Sequence, residues 1–500
     1  MKVARALFST YQPDGIEELA RKLVERFQTQ LLATPKTAAY LLGRGLVVTE
    51  TAGLFSAGDA SDPVLRTVTS DVIDLVVVNL PPPFKRPPAQ MGFDLILSEV
   101  DPLGPSLVRA AILRYERTGI AMDFDDYAIV LSEVMTKSDL DVPACRRLAR
   151  RALSRLAAYE IPIARELSMF DEEAMRQELP EIVLPGYQRL SRFGSGTNRH
   201  QEAWLYRGDG APPGTLPEAM NFNPNPKAKL TMARARDACL AIELLAEHDR
   251  PTAMVLARQR PLRVVSAATL EAATAQAAEC LSPPLSGAVL AVNGNASAAL
   301  FASIANAPMD MFVAESFDPD AVETFAERTS AALVATGGRF VADTPQLSIS
   351  VVPGAMLLEP RDSRCGNEVE SGDSGVRAPL DAERRALVFA WAIAKYLRSD
   401  GVVIAKEEQG VLRTIGIGAS AISRRQAIEM ALAEAGADAG GAVLASDGPI
   451  MNSWDFERLA SLGITAVAHP GGPEDAKPFA IADGRGMLAI VATNVSHLRY

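Results

Sequence analysis

The stretch SRFGSGTNRHQEAW (191–204) gathers Arg192, Asn198, Arg199, His200 and Gln201 around Gly194 and Gly196. Histidine is the side chain whose ordinary pKa lies nearest neutrality, and the chain has four, so few residues are placed for proton transfer near pH 7. His200 ranks first among them and His497 second. His248, in AEHDR, reads as solvated at a helix end, and His469, before Pro470 and Gly471, as a packing residue. The arginines and glycines of 191–204 suit an anion cradle, and the same composition suits a solvated loop.

Further along, GVVIAK ends on Lys406 and LRTIGIGASAISRR leads from a strand into a helix. Gly416 to Ala421 imitates a dinucleotide fingerprint, but it ends in alanine, opens no domain, and no acidic residue closes a second strand about 20 residues on. What survives is a helix N-terminus beside Arg424 and Arg425, a setting that suits an anion. Lys406 also reads as a solubilising strand-end lysine. Asp447, in ASDG, reads as a cap or turn residue as well as a ligand. Cys145, Cys239, Cys280 and Cys365 are scattered without paired spacing. No zinc site is expected, and a reducing cytoplasm is.

The elements that must carry these residues alternate. VARALFS, TQLLAT, LVVTE and VIDLVVVNL (72–80) read as strands, separated by amphipathic helices at DGIEELARKLVERF and PKTAAYLLGRG, with GPSLVRAAILRYE (104–116) following as a helix. Residues 144–170 read as one long helix whose arginine face is expected to be solvated. The pattern divides into a first domain over 1–170, a linker over 171–190 and a second α/β region over 191–500. In that region TAMVLA (252–257), GAVLAVNG (287–294) and MFVAES (311–316) are strands, 381–400 is a helix and 360–378 an exposed loop; no 20–50-residue repeat is visible. Five hundred residues with 48% hydrophobic and 22% charged composition build proper cores. The formal charge of −11 argues against a general nucleic-acid binder. No run approaches the ~20 apolar residues of a membrane span.

Taken in order, IDLVVVNL, GPSLVRAA, LAAYE, the Arg-Phe-Gly…Asn-x-His-Gln stretch, FAWAIAKYLRSDGVVIAK, IGIGASAISR, ASDG and LGITAVAHPGG resemble one family across nearly the whole chain. It is the bifunctional purine-biosynthesis family that joins aminoimidazole-carboxamide ribotide transformylase to inosinate cyclohydrolase. The resemblance implies a methylglyoxal-synthase-like cyclohydrolase domain, then a transformylase of two cytidine-deaminase-like α/β units without zinc. It also implies 10-formyltetrahydrofolate as formyl donor, a small-molecule amine as acceptor and a homodimer, across which Arg192 equally suits an ion pair. Arg192, Asn198, His200, Gln201, Lys406, Arg424 and Asp447 stand in register with the family, and His497 and Arg499 remain near the C-terminus.

The departures are as specific. The family's Ser-Thr-Gly-Gly-Thr phosphate loop is here Ala33-Thr34-Pro35-Lys36-Thr37, where proline removes an amide donor. Its Arg-Val-Lys-Thr-Leu-His-Pro-Lys stretch has no counterpart in 51–72, so cyclohydrolase activity is expected to be lost. The Lys-His-x-Asn-Pro-Cys-Gly motif, which supplies the transformylase base, is Ala257-Arg258-Gln259-Arg260-Pro261-Leu262-Arg263. The family's Asp-Pro-x-Ser-Ala-Phe-Gly-Gly becomes Leu281–Ala288, an asparagine becomes Asp400, and a phosphate-binding arginine becomes Ser496. Formyl transfer to a weakly nucleophilic amine draws ~10²–10⁴ in rate from a positioned base, so a more basic acceptor would need less help. The leading expectation is formylation of a changed substrate. His200, Lys406 and Asp400 are then the catalytic candidates, and Arg192, Asn198, Arg199, Gln201, Arg424, Asp447, His497 and Arg499 the binding candidates. A non-catalytic scaffold paralogue and ordinary purine synthesis are the alternatives.

Overall fold

The computed structural model describes residues 2–51, 73–177, 179–180, 182–183, 186–208, 211–218, 230–304, 307–328, 331–341, 347–363, 367–374, 377–471 and 488–499. The stretch 52–72 and Cys365 lie outside them. The chain divides into a unit up to Tyr187 and a second unit from Gln188.

In the first unit β1 (Arg5–Thr10), β2 (Gln30–Ala33), β3 (Val48–Glu50), β4 (Leu75–Asn79) and β5 (Gly119–Ala121) form a parallel sheet in the order β3-β2-β1-β4-β5. The run Leu75–Val78 is buried throughout, as a strand covered by helices on both faces must be. The chain reverses its direction of travel across the sheet between β1 and β4, which is where such sheets open a crevice at their carboxyl ends. The helix Val142–Leu167 starts on Asp141, whose side chain accepts the Ala144 N–H at 2.9 Å. Its arginine face is not merely solvated: Arg151 Nε lies 2.6 Å from the fully buried carboxylate of Asp126, and Arg155 binds Asp126 and Asp123.

The second unit opens with a two-stranded sheet of β6 (Tyr187–Arg192) and β7 (Trp204–Gly208). Its main sheet is built from β8 (Thr252–Ala257), β9 (Arg260–Ser266), β10 (Val289–Val292), β12 (Met311–Ala314), β14 (Ala332–Ala335), β17 (Asp373–Ser374), β18 (Val402–Glu408), β19 (Val411–Gly418), β20 (Val443–Ser446), β21 (Ala466–His469) and β22 (Ala489–Ala492). Small pairs are made by β11 (Asn295–Ala296) with β13 (Ser316–Phe317) and by β15 (Leu347–Val352) with β16 (Ala355–Pro360).

The order β14-β12-β10-β8-β9-β19-β18-β20-β21-β22-β17 is nearly a mirror image about the antiparallel β9–β19 pair. On each side an antiparallel hairpin is followed by parallel strands. Helices Met232–Ala246 and Asp381–Ala394 occupy corresponding places before β8 and β18, and Leu270–Ala278 and Arg424–Ala435 after β9 and β19. The second unit is therefore an internal repeat with a period of roughly 150 residues, the size of a small domain, far longer than a repeat of 20–50 residues.

The two leading helices share one core around the fully buried Trp391, and the following helices cover the opposite face in separate clusters. Gly416 and Gly418 have a packing role: a Cβ at either would overlap the carbonyl of Ala431 or Ala427 on the helix that crosses β19. The expected loop at 360–378 instead contains a short helix, Asn367–Ser371, with Val369 buried, and β17 on the sheet edge. The helix expected over 381–400 ends at Ala394, which leaves Leu397 to Asp400 in the irregular approach to β18.

Candidate functional site

A cleft of about 370 Å³ opens in the second unit, lined by Ala257, Arg258, Gln259, Arg260, Leu262, Leu285, Leu397, Arg398, Ala419 and Ser420. Three segments that depart from or follow the family pattern thus converge: the β8–β9 turn, the segment before β18 and the segment after β19. Two-residue hairpin turns of this kind need positive φ at both central positions and usually take Asn or Gly there. Here the positions hold Arg258 (φ 54°) and Gln259 (φ 59°), a cost of about 1–2 kcal/mol for each such residue. The carboxylate of Asp237, on the helix Met232–Ala246, is the compensating group. It accepts the backbone N–H groups of Arg258, at 3.2 Å, and of Gln259. Asp237 is buried, which raises its pKa against the lowering effect of those two bonds. Arg260 donates to the Ile417 carbonyl at 2.9 Å, and Ser420 N–H donates to the Arg398 carbonyl at 2.9 Å, tying the walls together.

Beside Arg398, the carboxylate of Asp400 lies 2.8 Å from Arg424. Arg424 also binds Asp447 and donates to the Gly401 carbonyl at 2.9 Å. Asp447 is fully buried and further accepts from Ser399 Oγ at 2.8 Å and Gly401 N–H at 3.0 Å. Burial raises its pKa, and Arg424, Ser399 and Gly401 oppose that rise. The backbone of Arg499 closes the frame, its N–H donating to Ser399 Oγ at 2.8 Å and its carbonyl accepting from Ser399 N–H at 2.9 Å. The Arg499 guanidinium stacks 4.5 Å from the Tyr396 ring and lies 4.0 Å from Glu243. His497 is buried with its ring 5.0 Å from Trp391 and its Nδ1 paired with Asp362, while its backbone N–H donates to the Asp447 carbonyl.

Asp400, Arg424, Asp447, His497 and Arg499 are therefore brought together. Other candidates lie elsewhere. Lys406 stands four residues into β18 from Val402, about 13 Å along the strand at ~3.3 Å per residue, and pairs with Glu408 at 2.8 Å. Asn198 and Gln201 close the 191–204 turn on each other, with Asn198 N–H and Nδ2 each donating to Gln201 Oε1 at 3.0 Å. Phe193 anchors that turn in the core, Arg192 pairs with Glu202, and Arg199 and His200 are exposed. None of these lines the cleft.

His248 corrects the sequence reading. It is buried against Phe389 with its pKa pushed down to about 4 by burial, because the helix end that carries it turns into the core rather than to solvent. Among the described residues no group of three or more His, Cys, Asp and Glu side chains is placed to hold a metal ion, and no helix is long and apolar enough to cross a membrane. Sequence reasoning did not select Asp237 or Arg398. The signal for Asp237 is an acid flanked by small apolar residues on the buried face of the helix MARARDACLAIELLA.

Fold and site define a two-unit α/β protein with an open parallel sheet followed by a duplicated unit that carries a basic cleft. The family model described as AICARFT/IMPCHase bienzyme matches residues 113–434. A "Bifunctional purine biosynthesis protein PurH" of Sorangium cellulosum is 30% identical over 529 residues, covering 100% of both chains. The protein of the same name from Listeria welshimeri is 28% identical over 523 residues, covering 99% of this chain and 100% of its own. The chain belongs to the AICARFT/IMPCHase family. A solved structure titled "Crystal structure of ForH" aligns with 33% of this chain and 95% of its own at 25% identity, with a TM-score of 0.28, too low to bear on the fold.

Proposed function

We propose that this family member transfers a formyl group from 10-formyltetrahydrofolate to the amine of a changed acceptor, and that its first unit has lost cyclohydrolase chemistry. The observation that carries the reading is the cleft. It is open, it is walled by the same segments the family uses, and Ala257 and Arg258 stand where the family has its Lys-His pair. A guanidinium does not act as a proton acceptor at neutral pH. A small apolar surface at Leu262, Leu285 and Leu397 suits a flat heterocycle, and the volume lies within the ~300–1,000 Å³ of small-molecule sites. When bound, the folate supplies the formyl carbon. The apolar residues Leu262, Leu285 and Leu397 hold its ring against the cleft wall; the acceptor amine, arriving unprotonated or losing a proton to a carboxylate such as Asp400, takes the formyl group as the bond from the formyl carbon to folate N10 breaks, and N10 leaves with a proton. Asp400 is held in place by Arg424 at 2.8 Å.

In the first unit, the crevice between β1 and β4 is occupied by its own groups. Asn79 Oδ1 accepts the N–H groups of Tyr11 at 2.5 Å and Gln12 at 3.0 Å, its Nδ2 donates to the Gln12 carbonyl, and Lys36 donates to the Tyr11 carbonyl at 3.3 Å. Thr10 N–H donates to Thr37 Oγ1 at 3.0 Å. These side chains and the N–H groups of Thr10, Tyr11 and Gln12 are engaged with one another, which supports a structural role for this unit. A homodimer in the cytoplasm fits the exposed apolar β15–β16 hairpin, with Val351 81% and Leu357 59% exposed, and the free thiols of Cys145, Cys239 and Cys280.

The replaced base favours the scaffold reading as the alternative. Single-turnover assays with 10-formyltetrahydrofolate against a panel of anionic amines decide between them: formylated product supports transfer, and a soluble dimer without product from any amine supports the scaffold. Growth rescue of a strain lacking the transformylase would instead indicate ordinary purine synthesis.

A further inference from the structure

The two hairpins at the centre of the duplicated unit differ in a way that fold alone does not require. The β18–β19 turn places Gln409 (φ 51°) and Gly410 (φ 79°) at its two positions. The Gly410 carbonyl accepts from the guanidinium of Arg250 at 2.7 Å. Arg250 precedes β8 much as Asp400 precedes β18, so the corresponding place in the other half is filled by the protein's own cation. The β8–β9 turn has no glycine, is clamped from beneath by the buried Asp237, and faces an open cleft.

Three guanidinium-bearing residues, Arg258, Arg260 and Arg398, line that cleft, and among the described residues no acidic side chain does. Arg260 is tethered to Ile417, and Asp400, close to Arg398 in sequence, is engaged by Arg424. The side chains of Arg258 and Arg398 make no hydrogen bond or ion pair with a described residue. A cost in backbone conformation at Arg258, compensated by a buried carboxylate that touches only backbone N–H groups, has the effect of fixing where that guanidinium leaves the turn.

From this we infer that Arg258 and Arg398 form an oxyanion-reading subsite, which holds a phosphate or carboxylate group of the acceptor beside the reacting amine. The inference rests on the formyl-transfer reading and names the class of substrate which that reading leaves open: an anionic amine. Arginine presents paired N–H donors that match the two oxygens of either group. The subsite occupies the position of the missing base, so the same substitution that removed a proton acceptor supplies a selector.

Calorimetric titration of the full-length protein at low ionic strength tests it, with inorganic phosphate and malonate as probes that separate the two oxyanion sources. Saturable binding of one or both is expected, weakened about tenfold in Arg258→Gln and in Arg398→Gln, with a larger loss in the double variant. Arg250→Gln, at the filled counterpart, is expected to bind like the unmodified protein, and circular dichroism of each variant checks folding. Equal binding by the unmodified protein and the double variant overturns the subsite, as does no saturable binding of either probe. Titration with 5-formyltetrahydrofolate in the same proteins keeps the two readings apart. Folate binding with unchanged anion binding in the double variant overturns the subsite alone; arginine-dependent anion binding without folate binding overturns the transfer reading and leaves the subsite.

Discussion

Asp237 and Arg258 are joined through backbone rather than through charge: the carboxylate accepts the Arg258 N–H at 3.2 Å, and its second oxygen holds the N–H of Gln259. Removing it leaves two donors unpaired in a turn that already carries positive φ at both positions. Asp237→Ala is expected to destabilise the second unit by about 2–4 kcal/mol, the sum of two lost partners. Asp237→Asn, which keeps one accepting oxygen, should cost roughly half as much. Urea unfolding measures both, and the variants should bind anions more weakly than their stability loss alone explains.

Arg424 is the counter-charge of the buried Asp447. In Arg424→Met that carboxylate loses its guanidinium, at a cost of about 3–5 kcal/mol. The folded-state pKa of Asp447 is already raised by burial, and losing the arginine raises it further. The folded protein then takes up the proton before the unfolded chain does, so the variant's stability falls as pH rises above the ordinary carboxylate range. The deficit in Arg424→Met is expected to be smaller near pH 4 than at pH 7, measured by urea unfolding at both.

His248 carries the opposite sign. Its folded pKa is pushed down to about 4 from the ordinary 6.5. As pH falls below 6.5 the unfolded chain binds the proton first, and stability declines until about pH 4. The full loss is about 3 kcal/mol from this one residue. His248→Phe should flatten the stability profile between pH 6.5 and 4 while changing stability little at pH 8.

The strand and helix pattern of the first unit was readable from sequence because each apolar run, such as Leu75–Val78, is covered on both faces and each helix has a single buried stripe. The duplication was not, because its period is domain-sized and its halves share topology more than residues: Arg258-Gln259 in one turn answers to Gln409-Gly410 in the other. Arg424, Asp400 and Asp447 could be named from the family resemblance, but their mutual contact depends on the antiparallel β18–β20 pairing, which sets Val402 opposite Ser446. Lys406 matched the family equally well, yet strand length carries it away from Asp400. The role of Asp237 could not be read at all, since its partners are backbone groups 21 and 22 residues away.

That separation makes a contrast. Lys406→Ala is expected to change folate affinity less than about twofold, since truncation of a surface lysine paired with its neighbour Glu408 costs little. Asp400→Ala, which unbalances Arg424 at the cleft, should weaken folate binding or slow transfer by about tenfold, a difference of ~1.4 kcal/mol. Parallel binding and single-turnover measurements on the two variants check this.

The β8–β9 cleft of this AICARFT/IMPCHase family member is expected still to take a formyl-folate, although Ala257 and Arg258 stand in place of the family's Lys-His pair. Calorimetric titration of the purified full-length protein with 5-formyltetrahydrofolate tests it most directly. Saturable binding is expected, weakened when Leu285, on the cleft wall, is changed to Glu. Absence of saturable binding to the folded protein, or binding indifferent to Leu285→Glu, would contradict it.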